Sequence, residues 1–151
     1  MMIRAIQKED IPALAQMMAH TPLWQRYNVT EESAAQRLQS GMEQGATILV
    51  AEIDQTPLGF VWYVTSGAFN RSGYIMLIGV EQSARSTGVG RALMREAETI
   101  MFEKVNDVFL LVSDFNTDAQ KFYQRLGYEQ VGIIRDYVIE GINELIFRKK
   151  K

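Results

Sequence analysis

Tyr74-Ile75-Met76-Leu77-Ile78-Gly79-Val80 is a nearly unbroken apolar run, and after four intervening residues comes Arg85-Ser86-Thr87-Gly88-Val89-Gly90, directly ahead of an amphipathic stretch. The pattern is strand, glycine loop, helix. The first amides of a helix have no intrahelical partner and carry the positive end of its macrodipole. Gly88 and Gly90 have no Cβ, which lets an anion approach the main chain, and Arg85 and Arg91 can add charge-assisted hydrogen bonds. Taken alone the loop fits two readings: a cradle for a diphosphate-bearing cofactor, or a tight turn that needs glycine only for its geometry. Its surroundings have to decide.

Working outward, residues 2–6 read as a short first strand. Asp10 and Pro12 open a helix with Ile11, Leu14, Ala15 and Met18 at helical spacing. Thr30 caps a second helix, with Glu31 and Glu32 in its first turn and Ala34, Leu38 and Met42 on one face. Residues 47–53 and 58–65 are β-rich runs joined through Asp54, Gln55, Thr56 and Pro57, the pattern of a hairpin. Residues 66–73 read as a loop, and 74–80 as a strand covered on both faces. The helix after the glycines buries Val89, Ala92, Leu93, Ala97 and Ile100. Residues 108–112 form another apolar strand. Asn116 then caps a short helix with Ala119, Phe122, Tyr123 and Leu126 on one face and Gly127 at its end. Strands around 128–134 and 142–147 close an order βααβββαβαββ.

The 151 residues carry no low-complexity linker or repeat and read as one domain. The 47% hydrophobic and 23% charged fractions are those of a soluble globular chain. The start MMIRAIQKED lacks the apolar core of a signal peptide and no run is long enough to span a bilayer, so the expectation is a cytoplasmic protein with no membrane partner. With no cysteine there is no disulfide, thiolate metal site or acyl-cysteine step, and the lone His20 gives no basis for a metal site. A net charge of -2 argues against a nucleic-acid partner. The basic end Arg148, Lys149, Lys150, Lys151 reads as a solvated tail.

Two separated stretches then combine. Arg85, Gly88 and Gly90 match an Arg/Gln-x-x-Gly-x-Gly loop. The run Asn116-Thr117-Asp118-Ala119-Gln120-Lys121-Phe122-Tyr123-Gln124-Arg125-Leu126-Gly127-Tyr128 matches Asn-x-x-Ala-x-x-Phe-Tyr-x-x-x-Gly-Phe/Tyr. At this separation and within this element order, the chain resembles the GNAT superfamily of acyl-CoA-dependent N-acyltransferases over nearly its whole length. The resemblance implies an α/β (α+β) fold with a mixed, mostly antiparallel central sheet flanked by helices. A Rossmann fingerprint would need a third glycine where Leu93 stands, and a Walker loop would need Lys then Ser or Thr where Arg91 and Ala92 stand.

The resemblance also implies a chemistry: a primary amine attacks the thioester of acetyl-CoA directly, in a ternary complex. Residues 85–91 (Arg85, Ser86, Thr87, Gly88, Val89, Gly90 and Arg91) are then assigned the diphosphate, and the backbone of Ile78, Gly79 and Val80 the pantetheine arm. Gly79 suits close backbone approach, or else simple packing against a helix. A strand N–H, that of Val80, is the candidate oxyanion donor. Tyr123 is the candidate general acid for the departing thiolate, its alternative being a core tyrosine. Asn116 contacts the cofactor in the family and is equally wanted as a helix cap. Phe122 and Arg125 either line the cofactor's outer end or serve as core and surface.

The departures from the pattern are specific. Where family members often have a glycine and a basic residue, this loop has Ser86 and Thr87, so the diphosphate site carries less positive charge. Strand positions that hold a glutamate base in some members are Leu111 and Tyr74 in this chain. Glu81 is the nearest carboxylate and a tentative base, against a solvated strand end or a water chain carrying the proton. Trp24, Tyr27, Trp62, Tyr63, Phe69, Arg71 and Tyr137 are candidates to line an acceptor groove, with Glu31 and Glu32 attracting a cation, or else are core residues. Three functions follow: a small-molecule amine N-acetyltransferase, a protein N-terminal or lysine acetyltransferase, or a non-catalytic acyl-CoA-binding domain. Residues 138–147 are candidates to pair across the two-fold axis of a homodimer.

Overall fold

The structure, a computed structural model, describes all residues 1–151. Its seven strands follow the hydrogen-bonded order β1-β2-β3-β4-β5-β7-β6. Residues gather into two units, 1–63 with 77–97 and 64–76 with 98–151, so that β3 and β4 run through both.

In the first unit β1 (Met2–Ala5) pairs antiparallel with β2 (Thr47–Ile53), and β2 with the first part of β3 (Thr56–Ala68). The β2–β3 turn is only Asp54 and Gln55, both at positive φ (49° and 63°), as a tight hairpin matched to strand twist requires. Pro57, expected in the turn, is instead in β3 opposite Glu52, beside a register shift at Ala51/Glu52 where its missing N–H is tolerated.

Three helices, one more than expected, link β1 to β2: α1 (Ile11–Ala19), α2 (Pro22–Arg26) and α3 (Glu31–Glu43). The extra helix α2 has five residues, too few to show periodicity, and its only signal is Thr21-Pro22 at the start. Thr30 caps α3 in a reciprocal box with Ser33. Asp10 does not cap α1. Its carboxylate, 5% exposed, takes two hydrogen bonds from Arg4, at 2.7 and 2.9 Å, and one from the Gln7 N–H, while Arg4 also pairs with buried Glu52.

Alternation along β3 sorts the helices onto two faces. Phe60 and Trp62 point one way, towards Trp24 of α2 and Gly41 of α3, whereas Gly59 faces Leu93 of α4 (Val89–Met101). Tyr63, also facing α4, is 2% exposed and its hydroxyl is held above the usual phenol range by burial and then by the charge of Glu96.

In the second unit the expected loop 66–73 is a strand turn. β3 runs to Ala68, and Phe69 and Asn70, at φ 55° and 54°, turn the chain into β4 (Ser72–Val80). β4 pairs parallel with β5 (Asp107–Ser113), and Gly73 there admits Met101 of α4, whose Sδ would lie 2.6 Å from a Cβ. α5 (Thr117–Arg125) follows, capped by Asn116 and ended by Gly127 at φ 95°. β7 (Glu144–Lys150) lies between β5 and β6 (Glu129–Ile134), paired antiparallel to both.

That placement corrects two expectations. The basic end is no solvated tail: Arg148 pairs with Asp107 at 2.7 Å and Lys149 with Glu98 at 2.6 Å, because long cationic side chains lie along the strand and reach acidic partners. Nor can 144–147 pair with a second copy, since β7 uses both of its edges. β6, beyond β7, is an edge strand, with Val131 and Ile133 about half exposed.

Candidate active site

The glycine loop begins where β4 ends. Glu81 N–H donates to Leu58, a 3₁₀ turn spans Gln82–Ala84, and Thr87 closes back on the Ala84 carbonyl through its N–H and its hydroxyl. Ser86 (φ 65°) and Gly88 (φ 95°) are both left-handed, so the chain alternates its direction and turns its amides outward. The first hydrogen bond of α4 runs from Ala92 to Gly88, and the amides of Gly88, Val89, Gly90 and Arg91 have no protein acceptor. Arg85 and Arg91 are exposed beside them, and no atom lies within 4 Å of a Cβ built on Gly88. Four consecutive open donors with two cations fit a diphosphate.

β4 itself carries a second observation. Its pairing with β5 covers Gly73, Tyr74 and Ile75, yet the strand continues five residues to Val80. Met76, Leu77, Ile78 and Val80 are only half-buried, where coverage on both faces was expected. A polypeptide-like arm of alternating amides and methylenes is the ligand such a strand edge accepts. Gly79 is buried for a different reason: a Cβ there would lie 2.5 Å from Trp24 Cη2 and 2.9 Å from Phe60 Cε1. Of the two readings for this glycine, packing against a helix is the one seen.

Tyr123 sits on the inner face of α5, 7% exposed. Its ring meets three others edge to face: Phe122 at 5.3 Å, Tyr128 at 5.9 Å and Phe147 at 6.4 Å between centroids. Burial pushes its hydroxyl well above the usual phenol range, so it holds its proton throughout neutral and moderately alkaline pH. Asn116 Oδ1 accepts from Ala119 N–H at 3.2 Å, which makes it the helix cap, and Phe122 is half-buried while Arg125 is exposed.

Glu81 Oε1 accepts from the neighbouring Gln82 N–H, and its side chain lines a cavity of about 360 Å³ with Ala13, Gln16, Met17, His20, Thr21 and Gln82. A single histidine carries no spacing, so nothing in the sequence places His20 beside Glu81. A carbonyl can only accept, so its Nδ1 donates to Gln16 O at 2.7 Å and its Nε2 is left as the acceptor in the neutral ring.

The aromatic candidates divide. Trp24 stacks on Phe60, Trp62 fills the space beside Gly41 and Tyr63 is buried, so these three are packing residues and not walls of an open groove. An indole reads alike in core and groove, which is why sequence cannot separate them. Tyr27 is half-buried, Arg71 and Tyr137 are exposed, and Phe69, 75% exposed, lies edge-on to Phe109 at 5.3 Å. No helix is long and apolar enough to cross a membrane.

The chain is similar to several known proteins. Residues 12–128 match the model of the Acetyltransferase (GNAT) family. The chain is 31% identical over 104 residues to an uncharacterized N-acetyltransferase of Methanocaldococcus jannaschii, covering 68% of this chain and 65% of that one. It is 28% identical over 110 residues to an N-alpha-acetyltransferase of Sulfurisphaera tokodaii, covering 66% of each. Thus it spans about two thirds of the length of these relatives. The solved structure of an aminoglycoside 6'-N-acetyltransferase complexed with coenzyme A superposes with a TM-score of 0.80 at 16% identity, over 99% of this chain and 97% of that one. With both motifs in place and the family model covering most of its length, the chain belongs to the GNAT family of acetyltransferases.

Proposed function

We propose that the protein is an N-acetyltransferase that moves an acetyl group from acetyl-CoA to the primary amine of a small molecule. The observation that carries the reading is the run of four open amides at Gly88, Val89, Gly90 and Arg91, in a loop that follows a strand running on past its parallel partner. Acetyl-CoA supplies an activated acyl carbon and a thiolate leaving group. The amides of residues 88–91, with Arg85, Arg91 and the hydroxyl of Ser86, hold the diphosphate, while Thr87 shapes the loop through its hydroxyl on the Ala84 carbonyl. The backbone of Ile78, Gly79 and Val80 lies along the pantetheine arm, and the Val80 N–H donates to the carbonyl oxygen. Asn116 and Phe122 complete the cofactor contacts.

Attack by the neutral amine forms the C–N bond and breaks the C–S bond. Tyr123 gives its proton to the departing sulfur, its hydroxyl being held protonated by burial before the step. The amine's own proton leaves through water or through Glu81, and Tyr27, Phe69 and Arg71 remain the acceptor-side candidates.

The Sulfurisphaera relative, named an N-alpha-acetyltransferase, supports a second reading in which the acceptor is a protein N-terminus. A panel of small amines and short peptides, followed by release of free CoA, separates the two. Turnover with amines alone supports the first reading and turnover with peptides alone supports the second. Acetyl-CoA binding without turnover would make the chain a binding domain. Light scattering measures whether the chain forms a homodimer.

A further inference from the structure

Glu98 sits on the buried face of α4 with its side chain 8% exposed, a costly place for a carboxylate. Two groups hold it. The Tyr128 hydroxyl donates to Oε1 at 2.9 Å, and Lys149 Nζ donates to Oε2 at 2.6 Å while standing 5.7 Å from the centroid of the Tyr128 ring. Tyr128 is itself 2% exposed, and burial followed by the charge of Glu98 holds its hydroxyl far above the usual phenol range, fixing it as the donor.

Tyr128 is joined to Tyr123 in two ways. Its N–H donates to the Tyr123 carbonyl at 3.0 Å, and its ring stands at 68° to the Tyr123 ring with centroids 5.9 Å apart. Phe147 and Phe122 close two other sides of Tyr123 by packing alone, whereas Tyr128 is the neighbour with a directional anchor. An apolar residue at 98 facing phenylalanine at 128 would fill comparable space without burying a charge. The ionic version adds direction: it fixes the plane and depth of the Tyr128 ring, and so the rotamer open to Tyr123.

The geometry points to Glu98, with Lys149, as a positioning residue for acyl transfer that acts through the Tyr128 ring to aim the Tyr123 hydroxyl. This rests on Tyr123 being the proton donor, so its tests separate the two claims. Tyr128→Phe keeps the ring and removes the anchor. A displacement of about an ångström at a reacting group costs up to about 100-fold, and a loosened ring should cost about tenfold in kcat, with KM for acetyl-CoA held within about twofold. Glu98→Gln, which still offers Tyr128 an acceptor, should retain most of kcat, and Glu98→Leu should match Tyr128→Phe. In a Tyr123→Phe background Tyr128→Phe should cost nothing further.

Equal and additive losses in both backgrounds would overturn the positioning role while leaving Tyr123 as the acid. The ring itself supplies a readout independent of activity. With ¹³C-labelled tyrosine, the Tyr123 signals, assigned by their loss in Tyr123→Phe, should show faster ring flipping in Tyr128→Phe. Unchanged flipping would overturn the proposal whatever Tyr123 does in catalysis. A fully active Tyr123→Phe would instead overturn the acid assignment and, with it, the positioning role of Glu98.

Discussion

The indole of Trp24 stands where a side chain on residue 79 would be: a Cβ built on Gly79 lies 2.5 Å from Trp24 Cη2. α2 is therefore seated directly over the strand assigned to the pantetheine arm. Gly79→Ala should cost about 1 to 3 kcal/mol of stability, as overpacking of a filled core does. The cost should shrink in a Trp24→Leu background, where there is room. Urea denaturation of the four proteins in that cycle measures the coupling, and additive losses would show that the indole is not what excludes the Cβ.

Arg4 ties together two carboxylates that would otherwise be buried alone, Asp10 at 5% and Glu52 at 9% side-chain exposure. Arg4→Met should cost about 3 to 5 kcal/mol at neutral pH, because an uncompensated buried charge is left behind. For Asp10 burial acts to raise the pKa, but the hydrogen bonds from Arg4 and Gln7 and the charge of Arg4 outweigh it, and the net direction is down. A depressed carboxylate contributes stability that is present above the unfolded value of 3.8 and is lost as the pH falls through the lower folded value. Wild type should therefore lose stability on acidification below about pH 3.8, and Asp10→Asn should lose less over that window in denaturation curves.

Asn116 can be tested for its two roles separately. Asn116→Ala should destabilise the chain by about 1 kcal/mol, the usual cost of a lost helix cap. Asn116→Ser keeps a capping oxygen and should restore most of that stability. If Asn116 also contacts the cofactor, Asn116→Ser should still bind acetyl-CoA more weakly in calorimetric titration. Affinity equal to wild type would leave Asn116 with the cap alone.

Ser86 at φ 65° occupies a conformation that favours glycine, and Thr87 next to it is exposed and uncharged. Thr87→Arg should tighten acetyl-CoA binding about two- to fivefold, the range expected of one exposed ion pair. The gain should fade as salt rises from about 0.05 to about 0.5 M, as screening shortens the reach of the charge. A gain insensitive to salt would point to a conformational cause.

The frame is legible in the sequence wherever two signals agree. β2 reads at its true bounds because its β-rich run ends at a turn, and α5 because Asn116 and Gly127 mark both ends. Helix α2 escapes because five residues cannot show a period. The Glu98–Lys149 pair escapes because a glutamate on a helix and a lysine near a chain end both read as solvated. Only the fold, which brings residues 51 positions apart within 2.6 Å, reveals that they meet. The cofactor loop is visible as a motif, but the open amides that give it meaning are a property of its left-handed Ser86 and Gly88.

Acetyl transfer itself is tested most directly by comparing wild type with Tyr123→Phe, measuring CoA release and acetylated amine together over an acceptor panel and acetyl-CoA binding by calorimetry. The account predicts stoichiometric CoA and acetyl-amine from wild type. For the variant it predicts a rate lower by about 100-fold or more, the range of a lost general acid, with acetyl-CoA affinity nearly unchanged. A variant as fast as wild type, or a wild type that neither binds acetyl-CoA nor acetylates any amine or peptide, would contradict it.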